Sequence, residues 1–281
     1  MSSPKRPPII EPPTEDPDFI GYAQAAGARG YGAIPGSPSS APPIFVAPPA
    51  YLNDNDLPDD FKYGVSVANA DLAIRLAFVR KVYTILACQL GLTGAVSALF
   101  MTNETVKQWV QTNIWAMYLS WLATFGVLFA LIVKRRSHPV NLWLLGLFTL
   151  LEAYSIGTVV SFFDSVTVLQ AVVLTFALFV GLTLFTLQSK YDFSSWGPFL
   201  FGTLWVIIIG TFIQIFLPYN STFNLIIAVA TAVLFCAFIV YDTQEIFTKL
   251  SPEEYIAAAV ELYLDLINLF LAILRILDAR D

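Results

Sequence analysis

The chain is nearly empty of the side chains that build metal centres and covalent staples, with one histidine, His138, and two cysteines, Cys88 and Cys236. A His/Cys metal cluster and a disulfide framework are therefore excluded, and both cysteines, each inside an apolar run, read as packing residues. Charged side chains make up only 13% of the residues and sum to −6, which leaves no basic footprint for a nucleic acid. The sequence holds no GxSxG elbow, no HExxH helix and no Walker loop, and its one histidine sits in a turn beside Pro139, so a Ser-His intramembrane protease is not expected. No cofactor and no resident metal are expected.

What the chain has in quantity is hydrocarbon. A hydrophobic fraction of 57% and a mean hydropathy of +0.67 exceed what one soluble core requires. Apolar runs recur at 82–101, 114–133, 140–163, 166–187, 196–217, 223–241 and 256–277. Each approaches the ~20 residues with which a helix crosses a bilayer, and the gaps between them are short. Hydrocarbon offers no partner to an unpaired backbone group, so the spans must be helical. The expected fold class is an all-α membrane protein, a seven-transmembrane-helix bundle over 75–281, preceded by a disordered tail.

That tail, 1–70, holds 13 of the 17 prolines, four basic and eight acidic side chains, and no hydrophobic periodicity. It lacks the apolar core of a signal peptide, so the first membrane helix is expected to act as signal anchor. Pro48, Pro49, Ala50 and Tyr51 spell PPAY, which resembles the PPxY ligand of WW domains. A WW-domain ubiquitin ligase is the partner this motif predicts, against the plain alternative of chance in a proline-rich segment.

Lysines and arginines near the span ends set the expected orientation. Arg75, Arg80 and Lys81 precede the first span, and Lys134, Arg135 and Arg136 follow the second, which assigns that side, and the N-terminus, to the cytosol. The loops at 102–113 and 218–222 carry one basic residue between them, Lys107, and contain the sequons of Asn103 and Asn220. Asn103 is the candidate N-glycosylation site; Asn220 sits too near the membrane. Seven full crossings place the C-terminus on the lumenal side, with a re-entrant last segment as the alternative.

The last segment, 251–281, reads as one long helix with Ser251 as N-cap, Pro252 at its first position and Glu254 completing a capping box. Glu261, Asp265, Asn268 and Arg275 recur at offsets of 4, 3 and 7, a polar stripe on an apolar rod. An ionised Asp265 in hydrocarbon costs on the order of 3 kcal/mol or more unless it meets a partner or a wet cavity. The other acidic residues in the spans are Glu152 in the third and Asp242 closing the sixth. Antiparallel sixth and seventh helices could bring Asp242 to Asp265, where two carboxyls cannot both ionise cheaply and would share one proton as a pH-sensitive latch. On spacing alone, Asp242 could equally sit among headgroups while Asp265 bonds a neighbouring helix. Glu152 is either a helix–helix anchor or, with Glu261, part of an ion path. The aspartyl intramembrane proteases also use two membrane aspartates, but their pattern is incomplete: Tyr241-Asp242 is present, whereas Asp265 lies in YLDLIN with no glycine beside it.

YDTQEI at 241–246 and SPEEYIAAAVELYLDLINLFLAILRIL at 251–277 resemble the signature end of the Bax inhibitor-1, or Lifeguard, family. RKVYTILACQLGLT at 80–93, HPVNLWLLGLFTLLEAYSIG at 138–157 and GLTLFTLQSKYDFS at 181–194 resemble its earlier helices, and TLQSKYDF with LSPEEY looks most like its Golgi anti-apoptotic protein branch. The resemblance, from about residue 75 to the end, implies a calcium leak in the membrane of an internal store (endoplasmic reticulum, Golgi or vacuole) that suppresses cell death. By motif it puts the family's proton-sensitive aspartate pair on Asp242 and Asp265, with the basic gate partner among Lys134, Arg135 and Arg136. An acidic residue in the second helix of some bacterial relatives is missing here, since 114–133 carries no charge, and Glu152 is the candidate substitute. The expectation is therefore a non-enzymatic, pH-sensitive calcium leak. The rivals are a non-conducting regulator that binds death or stress proteins, and the aspartyl protease.

Overall fold

In the computed structural model, residues 72–134, 137–216, 218, 220–251 and 253–279 are described. The PPAY residues Pro48, Pro49 and Tyr51, the turn residues Arg135 and Arg136, and Pro252 lie outside them.

The apolar runs become α1 (Leu72–Thr102), α3 (Ile114–Lys134), α4 (Val140–Val160), α5 (Ser165–Gln188), α6 (Gly197–Phe216), α7 (Ser221–Thr248) and α8 (Tyr255–Asp278). Seven helices are thus long and apolar enough to cross a membrane, and no strand occurs among the described residues. Short polar caps start several of them. Asp164 accepts from the Val166 N–H at 2.8 Å to open α5, and Asn220 accepts from the Phe223 N–H at 3.1 Å to open α7.

One element went unread in the sequence. The segment Glu104–Thr112 between the first two spans is a helix, α2, capped by Asn103, whose Oδ1 accepts from the Val106 N–H at 3.2 Å. Gln111 Nε2 ties α2 down by donating to the Ser161 carbonyl at 2.7 Å. The candidate glycosylation residue is therefore also a helix cap.

The start of the last helix corrects the sequence reading. Ser251 is not its N-cap; Glu254 occupies that position, and α8 begins at Tyr255. The Glu254 N–H closes a tight turn on the Ser251 carbonyl at 2.9 Å, and only half of a capping box survives, a long 3.5 Å bond from the Ser251 N–H to Glu254 Oε2. The reason is geometric: the backbone of Glu254, at φ −90° and ψ 21°, has left the helical region, so the first helical turn cannot begin before it. Cys88 also departs from expectation, lying exposed on α1 rather than packed, whereas Cys236 is half-buried against the core. An apolar run does not mark which of its faces meets lipid, and Cys88 falls on the outer one.

α8 is the axle of the bundle. Of its most apolar window 72% is buried, against 11% for α6. It packs against α7, α1 and α5, while α1 also packs on α4 and α3 lies on α4. Apolar character alone does not put α8 in the middle, since α5 and α7 are more apolar and far less buried; the contacts α8 makes on several sides do. The outer helices show the inverse pattern, with Phe129 70%, Leu122 69% and Phe199 73% exposed, as lipid-facing side chains should be. α8 runs 24 residues without a break, about 36 Å at ~1.5 Å per residue, so its backbone does not turn back inside the bundle.

Candidate functional site

Asp265 lies ten residues into α8 and is 5% exposed. Facing it from α7 is Asp242, half-buried, with its carboxyl within hydrogen-bonding reach of the Asp265 carboxyl. An ionised carboxylate can only accept, so a hydrogen bond between these two groups requires one proton held between them. Asp265 Oδ2 is buried and receives no donor among the described residues. Glu245 on α7 and the exposed Glu261 on α8 stand near enough for their charge to act on the pair. The site is thus a carboxyl pair with two further acids toward one end of the bundle. No group of three or more His, Cys, Asp or Glu residues arranged to hold a metal occurs among the described residues.

Helix pitch explains the placement. α7 continues past the apolar run to Thr248, so Asp242 does not close the helix but sits nearly two turns inside it, facing α8. The rest of the polar stripe on α8 is satisfied locally: Asn268 Nδ2 donates to the Leu264 carbonyl at 2.8 Å, and Arg275 Nε to the Leu271 carbonyl at 3.3 Å. Lys134 ends α3 with an exposed side chain, and that helix packs chiefly on α4.

Glu152 belongs to a second buried polar cluster. Residues two apart on a helix point about 200° apart, so Tyr263 faces away from the Asp265 side of α8, toward α1 and α4. Its Oη lies 2.8 Å from Thr93 Oγ1, and its ring packs edge-on against Phe148. Gln89 Nε2 donates to Thr149 Oγ1 at 3.1 Å, and Glu152, buried on the same side, is near enough for its charge to act on Tyr263. α8 therefore separates two polar clusters. Its charge marks Glu152 in the sequence; the signal of its companions is fainter, the offsets of 4 and 3 in Gln89/Thr93 and Thr149/Glu152 that put polar residues on one helix face.

The third feature, also unread, is a clamp beside the carboxyl pair. Gln244, two residues after Asp242, accepts from the Phe193 N–H at 2.6 Å and donates at 3.3 Å to the Tyr191 carbonyl and to Asp192 Oδ1. It fastens the α5–α6 loop to α7, with Phe193 packed against Trp196 and Tyr191. Asp192, outside the spans, accepts from the Ser194 N–H at 2.9 Å, and Ser194 chiefly holds this carboxyl below the usual carboxylate range.

Residues 75–281 match the family model described as inhibitor of apoptosis-promoting Bax1. The chain is 45% identical to protein lifeguard 4 of Mus musculus over 225 residues, covering 80% of this chain and 94% of that protein. It is 44% identical over 236 residues to the Golgi anti-apoptotic protein of vaccinia virus strain Lister (84% and 99% covered), and 40% identical over 253 residues to Bax inhibitor 1 of Schizosaccharomyces pombe (88% and 95%). With the match running from the first span through the carboxyl pair to the last residue, the chain belongs to the Bax inhibitor-1/Lifeguard family of membrane proteins.

Proposed function

We propose that this protein is a pH-sensitive calcium leak of an intracellular membrane, that Asp242 and Asp265 are its gate, and that lowering store calcium is how it restrains cell death. The observation that carries the reading is the carboxyl pair itself, two acids within hydrogen-bonding reach between the central helix and its neighbour. With one proton shared, the pair holds α7 to α8 and the path is closed. Loss of that proton leaves two like charges that repel, loosen the helix contact and attract a cation, so the leak rises with pH. Glu245 and Glu261 extend the acidic surface along which calcium arrives, and Glu152 is the candidate for the ion path on the other side of α8. The relatives' names, anti-apoptotic protein and Bax inhibitor, support the cellular outcome. In this reading the end carrying Arg80, Lys81 and Lys134 faces the cytosol.

The test is calcium efflux from sealed liposomes holding the purified protein, between about pH 5 and 8, for the parent, Asp242→Asn and Asp265→Asn. The expected outcome is a leak that rises with pH in the parent and loses its pH dependence in either variant. Unchanged pH dependence in both variants sinks the gate. No flux from folded parent protein leaves the non-conducting regulator.

A further inference from the structure

The end of the bundle that carries the basic residues has a groove the carboxyl pair does not use. It lies between α1, the turn into α4 and the first residue of α8, with a volume of about 530 Å³. That size falls within the roughly 300–1,000 Å³ of small-ligand sites. Arg80, Lys81 and His138 line it with exposed side chains, and none of the lining residues among those described is acidic. We propose that this groove binds an anionic phospholipid of the adjoining leaflet, its headgroup phosphate held by Arg80, Lys81 and His138.

Two features favour a lipid over a purely topological role for these charges. The first is their order along the bundle. Ile85 stands about one turn deeper than Lys81 on α1, and Leu142 lies in the first turn of α4, beyond His138 in the turn that precedes it, so the basic residues sit at the mouth and hydrocarbon below them. A phospholipid has the same sequence, phosphate outside and acyl chain inside. The second is that Lys81 is held in place. Its Nζ lies 3.3 Å from the centroid of the Tyr255 ring, which seats the ammonium on the first residue of the central helix. A charge that only signals topology needs neither a groove nor an aromatic seat, whereas basic pockets between spans are a known way to hold phosphorylated headgroups. The inference stands apart from ion conduction.

Full-length protein in neutral detergent is titrated with short-chain phosphatidylinositol phosphate, with the matching inositol phosphate lacking acyl chains, and with short-chain phosphatidylcholine. Binding is read by native mass spectrometry. The phosphoinositide should bind best, and each basic side chain removed by Arg80→Gln or Lys81→Gln should weaken it about fivefold. Lys107→Gln, in the helix between the first two spans, should leave affinity unchanged. His138→Gln, in a turn, gives a second reading if a substitution on α1 prevents folding. Three results would overturn the proposal: undiminished binding in the groove variants, equal loss with Lys107→Gln, or equal affinity for the headgroup without acyl chains, which would make the groove a site for a free phosphate.

Discussion

Asp265, about 15 Å into α8 from its start, is the residue whose presence most needs a reason. A buried ionisable pair contributes little stability, and apolar replacement of such groups is often neutral or stabilising by about 1–4 kcal/mol. If the pair is kept for gating, a protein carrying both Asp242→Leu and Asp265→Leu should unfold in detergent at the same temperature as the parent or higher, because no buried carboxyl is left behind. A lower melting temperature would make the pair a structural bond. The opposite behaviour is expected at Gly157, where an added Cβ would stand 2.9 Å from Phe100 Cδ2. That ring is 8% exposed and packs edge-on against Tyr154 at 5.6 Å, so it has little room to yield. Gly157→Ala should cost about 1–3 kcal/mol by overpacking, read as a fall in thermal midpoint.

Among the elements, the α5–α6 loop and α7 behave as one piece through Gln244. Gln244→Leu removes the acceptor of a 2.6 Å bond from the Phe193 N–H and both bonds donated by its amide. Amides at 191–194 should then exchange about tenfold faster, while those of α8 keep their protection, as followed by hydrogen exchange with mass spectrometry. Asp192 adds a pH test with a definite sign. Its carboxyl is held low by Ser194, so the bonds it accepts are present above the usual carboxylate range and are lost only as pH falls below it. Asp192→Asn should therefore leave the proposed flux profile between about pH 5 and 8 unchanged, because the Asp192 carboxyl, held low, stays ionised throughout that range. A shifted profile would count against the carboxyl pair as the proposed pH sensor and for the loop.

For the whole molecule, a crossing by each of the seven long apolar helices predicts that tags on the two termini are protected from added protease on opposite faces of sealed vesicles. A glycan at Asn103, detected by a glycosidase-sensitive mobility shift, should report the side opposite Arg80 and Lys81. Beyond the described residues, the PPAY motif predicts that Tyr51→Ala lengthens the protein's lifetime in a chase experiment; equal decay would reject ligase recruitment. Much of this plan was legible in the sequence, because span length and hydropathy are local quantities: about 20 apolar residues must cross, whatever their neighbours. The pairing of Asp242 with Asp265 was also within reach, since consecutive antiparallel helices leave few partners for a carboxyl in hydrocarbon. Only the tertiary structure decided that α8 is the axle, that Glu152 joins Tyr263 rather than the aspartates, that Gln244 clamps a distant loop, and that Lys81 rests on Tyr255. Lipid and protein interior are equally apolar, so a hydrophobic helix carries no mark of which face meets which, and that choice is made only when the helices pack.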